Sequence, residues 1–116
     1  MKRIYLLSLF IFSIGCEDNI EKNDTNELLI VASEGNFGSS NGSLSIFKGK
    51  EKIQTIDDVG DVVQSITTYN NKLFVVVNNS HLIKVFTITE SGLKLPGIDI
   101  NTNNSSPREL IVHNNK

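Results

Sequence analysis

The sequence has no tryptophan, one cysteine, one methionine, two prolines and two histidines among its 116 residues. A single thiol excludes a disulfide framework and any structural zinc site built on several thiolates. Two histidines leave little material for a histidine-rich metal centre, so no metal and no cofactor are expected. Neither sign of charge dominates: 11 Lys+Arg stand against 13 Asp+Glu, for a formal net charge of -2, which excludes a basic nucleic-acid binder. Catalytic signatures are sparse as well, with no nucleophile elbow, no His-Glu-x-x-His and no phosphate-cradling glycine loop in prospect, and no enzyme is expected. Beyond residue 27 no apolar stripe at i, i+3, i+4, i+7 lasts three turns, so amphipathic helices are not expected either. The 39% hydrophobic content argues against a wholly disordered chain. The length allows one small domain.

What is present begins with an address. Lys2 and Arg3 precede an apolar run over residues 4–14, interrupted only by Ser8 and Ser13. As a helix this run spans roughly 16 Å at about 1.5 Å per residue, too short for a bilayer core of about 30 Å. It reads as the h-region of an export signal. The run stops at Ser13-Ile14-Gly15-Cys16, which resembles the lipobox of bacterial lipoproteins. The resemblance implies loss of residues 1–15 and a lipid on Cys16, whose thiol accepts the diacylglyceryl group while small Gly15 admits the peptidase. At about 0.8 kcal/mol per buried methylene, the three acyl chains it implies anchor a protein almost permanently in the lipid bilayer.

Residues 16–27 follow as an acidic, polar tether. Acidic residues directly after a lipid cysteine look like the surface-export signal of some Gram-negative lipoproteins, and equally like an ordinary solvated linker. The expected location is the outer membrane, lipid-anchored, at the cell surface.

Residues 28–116 read as short strands separated by turn signals, at roughly 8–12-residue spacing, which points to an antiparallel all-β architecture. Expected strands cover residues 28–32, 43–47, 52–56, 65–69, 72–77, 82–88, 93–100 (broken at Pro96-Gly97) and 108–112. The chain also repeats itself. Residues 66–72 match residues 110–116 at an offset of 44, ending in an identical Asn-Asn-Lys. Residues 27–32 line up with residues 72–77 at an offset of 45, and Ile46-Phe47 with Val85-Phe86 at 39.

A period near 44 with four strands per unit is the signature of β-propeller blades. The expected organisation is a first blade over about 28–60, a second over about 61–104 and the start of a third over 105–116. About two blades of a longer propeller are thus present, and the chain reads as the opening portion of a longer protein. Its first blade lacks the innermost strand, and apolar blade faces stay open at both ends, inviting association.

Four motifs occur in order: Ser33-Glu34-Gly35-Asn36-Phe37-Gly38, Gly60-Asp61-Val62-Val63-Gln64-Ser65, Val76-Val77-Asn78-Asn79-Ser80 and Ser106-Pro107-Arg108. Together they resemble the YncE-like β-propeller surface lipoproteins, related to the YVTN repeat propellers. Some relatives are similar to BtuG-type lipoproteins, which sit on a TonB-dependent transporter and capture vitamin B12. The resemblance therefore implies a non-enzymatic ligand-capture role beside such a transporter, with a corrinoid the sharpest candidate ligand. A propeller-type enzyme (lactonase-like hydrolase or quinoprotein dehydrogenase) and a structural or adhesive surface protein are the alternatives, because the fold alone does not choose among them.

The candidate ligand-facing residues sit in loops, where binding groups usually lie. Asn36 and Phe37 supply an amide and an apolar plate, and Asn78, Asn79 and His81 take the matching place in the second repeat. The asparagine pairs also suit plain turn chemistry. Arg108 fits an anionic ligand or a salt bridge between blades. Asp57, Asp58 and Asp61 fit a hard cation or, better, a solvated turn.

Overall fold

The computed structural model describes residues 27–114. The export signal, Cys16 and all of the tether but its last residue lie outside the described residues. All regular structure in the described chain is β. The strands are β1 (Leu28–Ser33), β2 (Gly42–Lys48), β3 (Glu51–Gly60), β4 (Val63–Tyr69), β5 (Lys72–Val77), β6 (Leu82–Thr89) and β7 (Gly92–Asn101). They form two antiparallel meanders, a three-stranded sheet in the order β1-β2-β3 and a four-stranded sheet in the order β4-β5-β6-β7.

Local chemistry explains the tight connections. Tyr69 pairs with Lys72 across a two-residue turn in which Asn70 and Asn71 have φ of 44° and 54°. Positive φ at both central residues is what a type I′ hairpin demands, and asparagine tolerates it.

Two strand expectations need correction. The third strand runs four residues past Ile56, through Asp57 and Asp58 to Gly60. The seventh spans the expected range, and its interruption at Pro96-Gly97 is a bulge, with a register irregularity opposite Val85 and Thr87. β7 is an edge strand, where a proline's missing N–H removes no ladder bond. The eighth expected strand, over residues 108–112, is absent; that segment pairs with no strand among the described residues.

The core lies between the two sheets. Leu44 and Ile46 of β2 join Leu73, Val75 and Val77 of β5, with Val59, Val63, Phe86 and Leu93 around them. One polar bridge crosses the same interface: the Gln54 amide donates to Leu93 O at 3.0 Å and accepts from Leu93 N–H at 2.7 Å. This side chain satisfies both backbone groups of a residue on the edge strand. Gln54→Leu leaves both without a partner, and the expected cost is about 1–2 kcal/mol. A lowered urea midpoint with unchanged slope is the reading that checks it.

Strand pairing also ties the match of β1 to β5 to the match of β2 to β6. Leu29 stands opposite Phe47 and Ile30 opposite Ile46; Leu73 stands opposite Phe86 and Phe74 opposite Val85. Matching Ile46-Phe47 to Val85-Phe86 therefore matches Leu29 to Leu73, an offset of 44 rather than the expected 45. One residue of slip in a strand moves every side chain to the other face, so the correction decides how the sheets are stacked. Ile30, Leu44 and Ile46, which face the second sheet, correspond to Phe74, Ile83 and Val85, which face away from the first. Leu73, Val75 and Phe86, packed in the core, correspond to Leu29, Val31 and Phe47 on the first sheet's outer surface. On that match, the second sheet follows the first facing the same way, rather than turned over onto it.

Candidate functional site

The four sequence motifs converge at one end of the sheets. The connections after β1, β3, β5 and β7 meet there, and hydrogen bonds tie each to the next. Val63 N–H donates to Glu34 O at 3.1 Å, and Asn78 N–H donates to Val62 O at 2.9 Å. The Asn78 amide reaches Ser106 O and Pro107 O at 3.0 and 2.9 Å.

Asp61 is the centre of this end. It is 7% exposed and is the buried polar side chain of the described core. Its carboxylate accepts from Gly38 N–H at 2.9 and 3.1 Å and from the Asn79 amide at 2.6 Å. Its own N–H donates to Ser80 Oγ at 2.8 Å. Gly38 turns its N–H toward Asp61 with φ of +78°, a conformation that a side chain disfavours. The solvated turn expected for Asp57, Asp58 and Asp61 is not found: Asp57 and Asp58 are exposed but lie within β3, and Asp61 is buried. Among the described residues no group of three or more His, Cys, Asp or Glu is placed to hold a metal ion.

The sequence-predicted residues divide by what their side chains already hold. The Asn78 and Asn79 amides are committed to Ser106, Pro107 and Asp61. His81, at φ of 54°, is half-buried, and its Nδ1 lies 3.2 Å from both Ser106 N–H and Ser106 Oγ. Acceptance from the backbone N–H assigns the ring proton to Nε2. Asn36, Phe37 and Arg108 are exposed at the same end, Phe37 at 80%. No ion pair among the described residues involves Arg108, so the salt bridge between neighbouring sheets is not formed there. The groups free to meet a ligand are the Asn36 amide, the Phe37 ring, the Arg108 guanidinium and His81 Nε2. Cys16 lies outside the described residues.

Gly38-Ser39-Ser40-Asn41-Gly42 spells Gly-x-Ser-x-Gly. It joins two antiparallel strands with no helix following, so it is not the strand-to-helix elbow that exposes a nucleophile. The histidine at this end is engaged with Ser106 rather than Ser40. Open clefts of about 810 and 470 Å³ run beside the outer edge of β1; Glu34, Val63, Gln64 and Ser65 of the motifs line the smaller one, and none of the candidate ligand-facing residues lines either.

No protein-family model, characterised protein or solved structure matches the chain. Fold and loop geometry alone define its class: an all-β protein of two antiparallel sheets with its motif-bearing loops gathered at one end.

Proposed function

We propose that the protein is a lipid-anchored outer-membrane surface protein whose two sheets are adjoining blades of a β-propeller of the YncE-like kind. Its gathered loops serve ligand capture beside a TonB-dependent transporter, with a corrinoid the first ligand to try. The observation that carries the reading is the repeat register: equivalent positions face the same way in both sheets, as successive blades require. A sandwich would turn its two apolar faces toward each other. The loop end supports a binding role, since Asp61 and the two asparagines fix the loops while Phe37, Arg108 and His81 Nε2 stay available.

Two measurements test it. In a Gram-negative host, the full chain is expected to incorporate labelled fatty acid and to sediment with outer membranes, and Cys16→Ser to lose both. Label retained by Cys16→Ser refutes the anchor. Titration of the purified lipoprotein with cobalamin is expected to release heat, and Phe37→Ala to weaken binding about tenfold, the effect of roughly 1.4 kcal/mol. A flat titration of the unaltered protein refutes the corrinoid assignment.

A further inference from the structure

On the side of the sheets away from β1, the outermost strands β3 and β7 are both bulged, and the bulges face each other. In β3, Gly60 pairs with Gly42 and Ile56 with Leu44, so Asp57, Asp58 and Val59 share Ser43 as their opposite residue. In β7, Ile98 pairs with Val85 and Lys94 with Thr87, so Leu95, Pro96 and Gly97 share Phe86. Extra residues of this kind bend a strand and re-aim its side chains. The residues of both bulges line one open cavity of about 310 Å³, a volume at the lower end of small-molecule sites. Beside it the Gln54 amide, bonded to Leu93, holds the two strands together.

The cavity has an apolar body and an acidic rim. Val59 and Phe86 are its buried lining, 2% and 4% exposed, while Leu95, at 53%, presents an apolar wall to water. A Cβ on Gly97 would stand 2.7 Å from Phe86 Cε1, so the bulge of β7 passes directly against the ring, an approach that glycine allows. Asp57 and Asp58 are exposed at the rim, and no ion pair among the described residues involves either. Lys84 also lines the cavity, but its Nζ donates to both Asp99 carboxylate oxygens at 2.9 and 3.0 Å. The charge left to meet a ligand is therefore negative. Edges interrupted by bulges offer no continuous ladder to a further strand, which favours a small molecule over an extended peptide. We infer that this cavity binds a small organic cation, an ammonium group carrying an apolar body of about phenylalkyl size. The apolar body packs against Phe86 and Leu95, and the ammonium meets the carboxylates of Asp57 and Asp58. The site uses none of the loop-end residues and depends on neither the propeller reading nor the lipid anchor.

In proton–nitrogen correlation spectra of the full chain, phenethylammonium is expected to shift the amides of Asp57, Asp58, Val59, Leu95 and Gly97. Phenethyl alcohol, with the same body and no charge, is expected to bind more weakly, and the anion hydrocinnamate to leave these amides unmoved. Asp57→Asn combined with Asp58→Asn removes the rim charge and preserves the bulge, because asparagine tolerates the φ of 52° at Asp58. This double variant is expected to weaken phenethylammonium about fivefold, exposed ion pairs being individually modest, and to leave phenethyl alcohol unchanged. Leu95→Ala, at an exposed side chain, is expected to weaken both. Bulge amides that ignore phenethylammonium, or that respond equally to all three probes, overturn the inference. So does an undiminished affinity for phenethylammonium in the double variant.

Discussion

Leu73→Ala lowers the stability of the protein by about 3–5 kcal/mol, while Leu29→Ala, at the same position of the repeat, changes it by less than about 0.5 kcal/mol. The two leucines stand on equivalent strands, each opposite a phenylalanine. They differ in what lies beyond them. Leu73 is fully buried among Leu44, Ile46, Val75 and Phe86, so truncation forfeits its transfer energy and leaves a cavity between sheets that relax only in part. Leu29 is 59% exposed, and its truncation gives little back to water. A domain of this size holds roughly 5–10 kcal/mol in total, so the first substitution removes a large share of it. Thermal or urea unfolding of each variant reads the loss. Equal losses at the two positions would show that the sheets are stacked in some other register.

That asymmetry marks the limit of what was readable beforehand. The antiparallel β class and the positions of all seven strands were legible, apart from the far end of β3, because alternation, β-branched runs and Asn-Asn or glycine turns each encode local geometry. Register was not. In β5 every residue from Leu73 to Val77 is apolar, so hydrophobicity fits either face equally, and an offset of 45 looked as good as 44. Pairing with β2 and β6 makes the two offsets depend on each other, so keeping the match of Ile46-Phe47 to Val85-Phe86 fixes 44. Pro96 would end a central strand but is tolerated as a bulge on an edge, and edge position is a tertiary fact. The motifs were correctly located in loops, yet nothing local announced that Asp61 is buried. Its partners, Gly38 and Asn79, lie 23 and 18 residues away. The available signal was the co-occurrence of Gly60-Asp61 with Asn79-Ser80 and a glycine-bearing loop, three short pieces that answer one another's hydrogen-bonding needs.

Asp61→Ala is expected to cost about 2 kcal/mol and to release the loop between β1 and β2 from the loop between β5 and β6. Two donors, Gly38 N–H and the Asn79 amide, lose an ionised acceptor, and bonds to charged groups contribute about 1.5–3 kcal/mol each. Relief from burying a carboxylate offsets part of that loss, and the exposed Gly38 N–H regains water once the loop opens. The global effect is therefore smaller than a sum of bonds, while the local effect is larger. Exchange of the Gly38 amide is expected to accelerate far more than exchange in β5, whose strand ladder is untouched. Asp61→Asn keeps one acceptor but aims its own N–H groups at donors, so it falls between alanine and the unaltered protein. Because the loop carries Phe37 on its tip, ligand affinity follows the same order of variants if this end is the capture site. A Gly38 amide that exchanges no faster in Asp61→Ala would mean the loop is held by its own turn, through the bond from Asn36 N–H to Asn41 Oδ1 at 2.7 Å, with Asp61 adding nothing to its position.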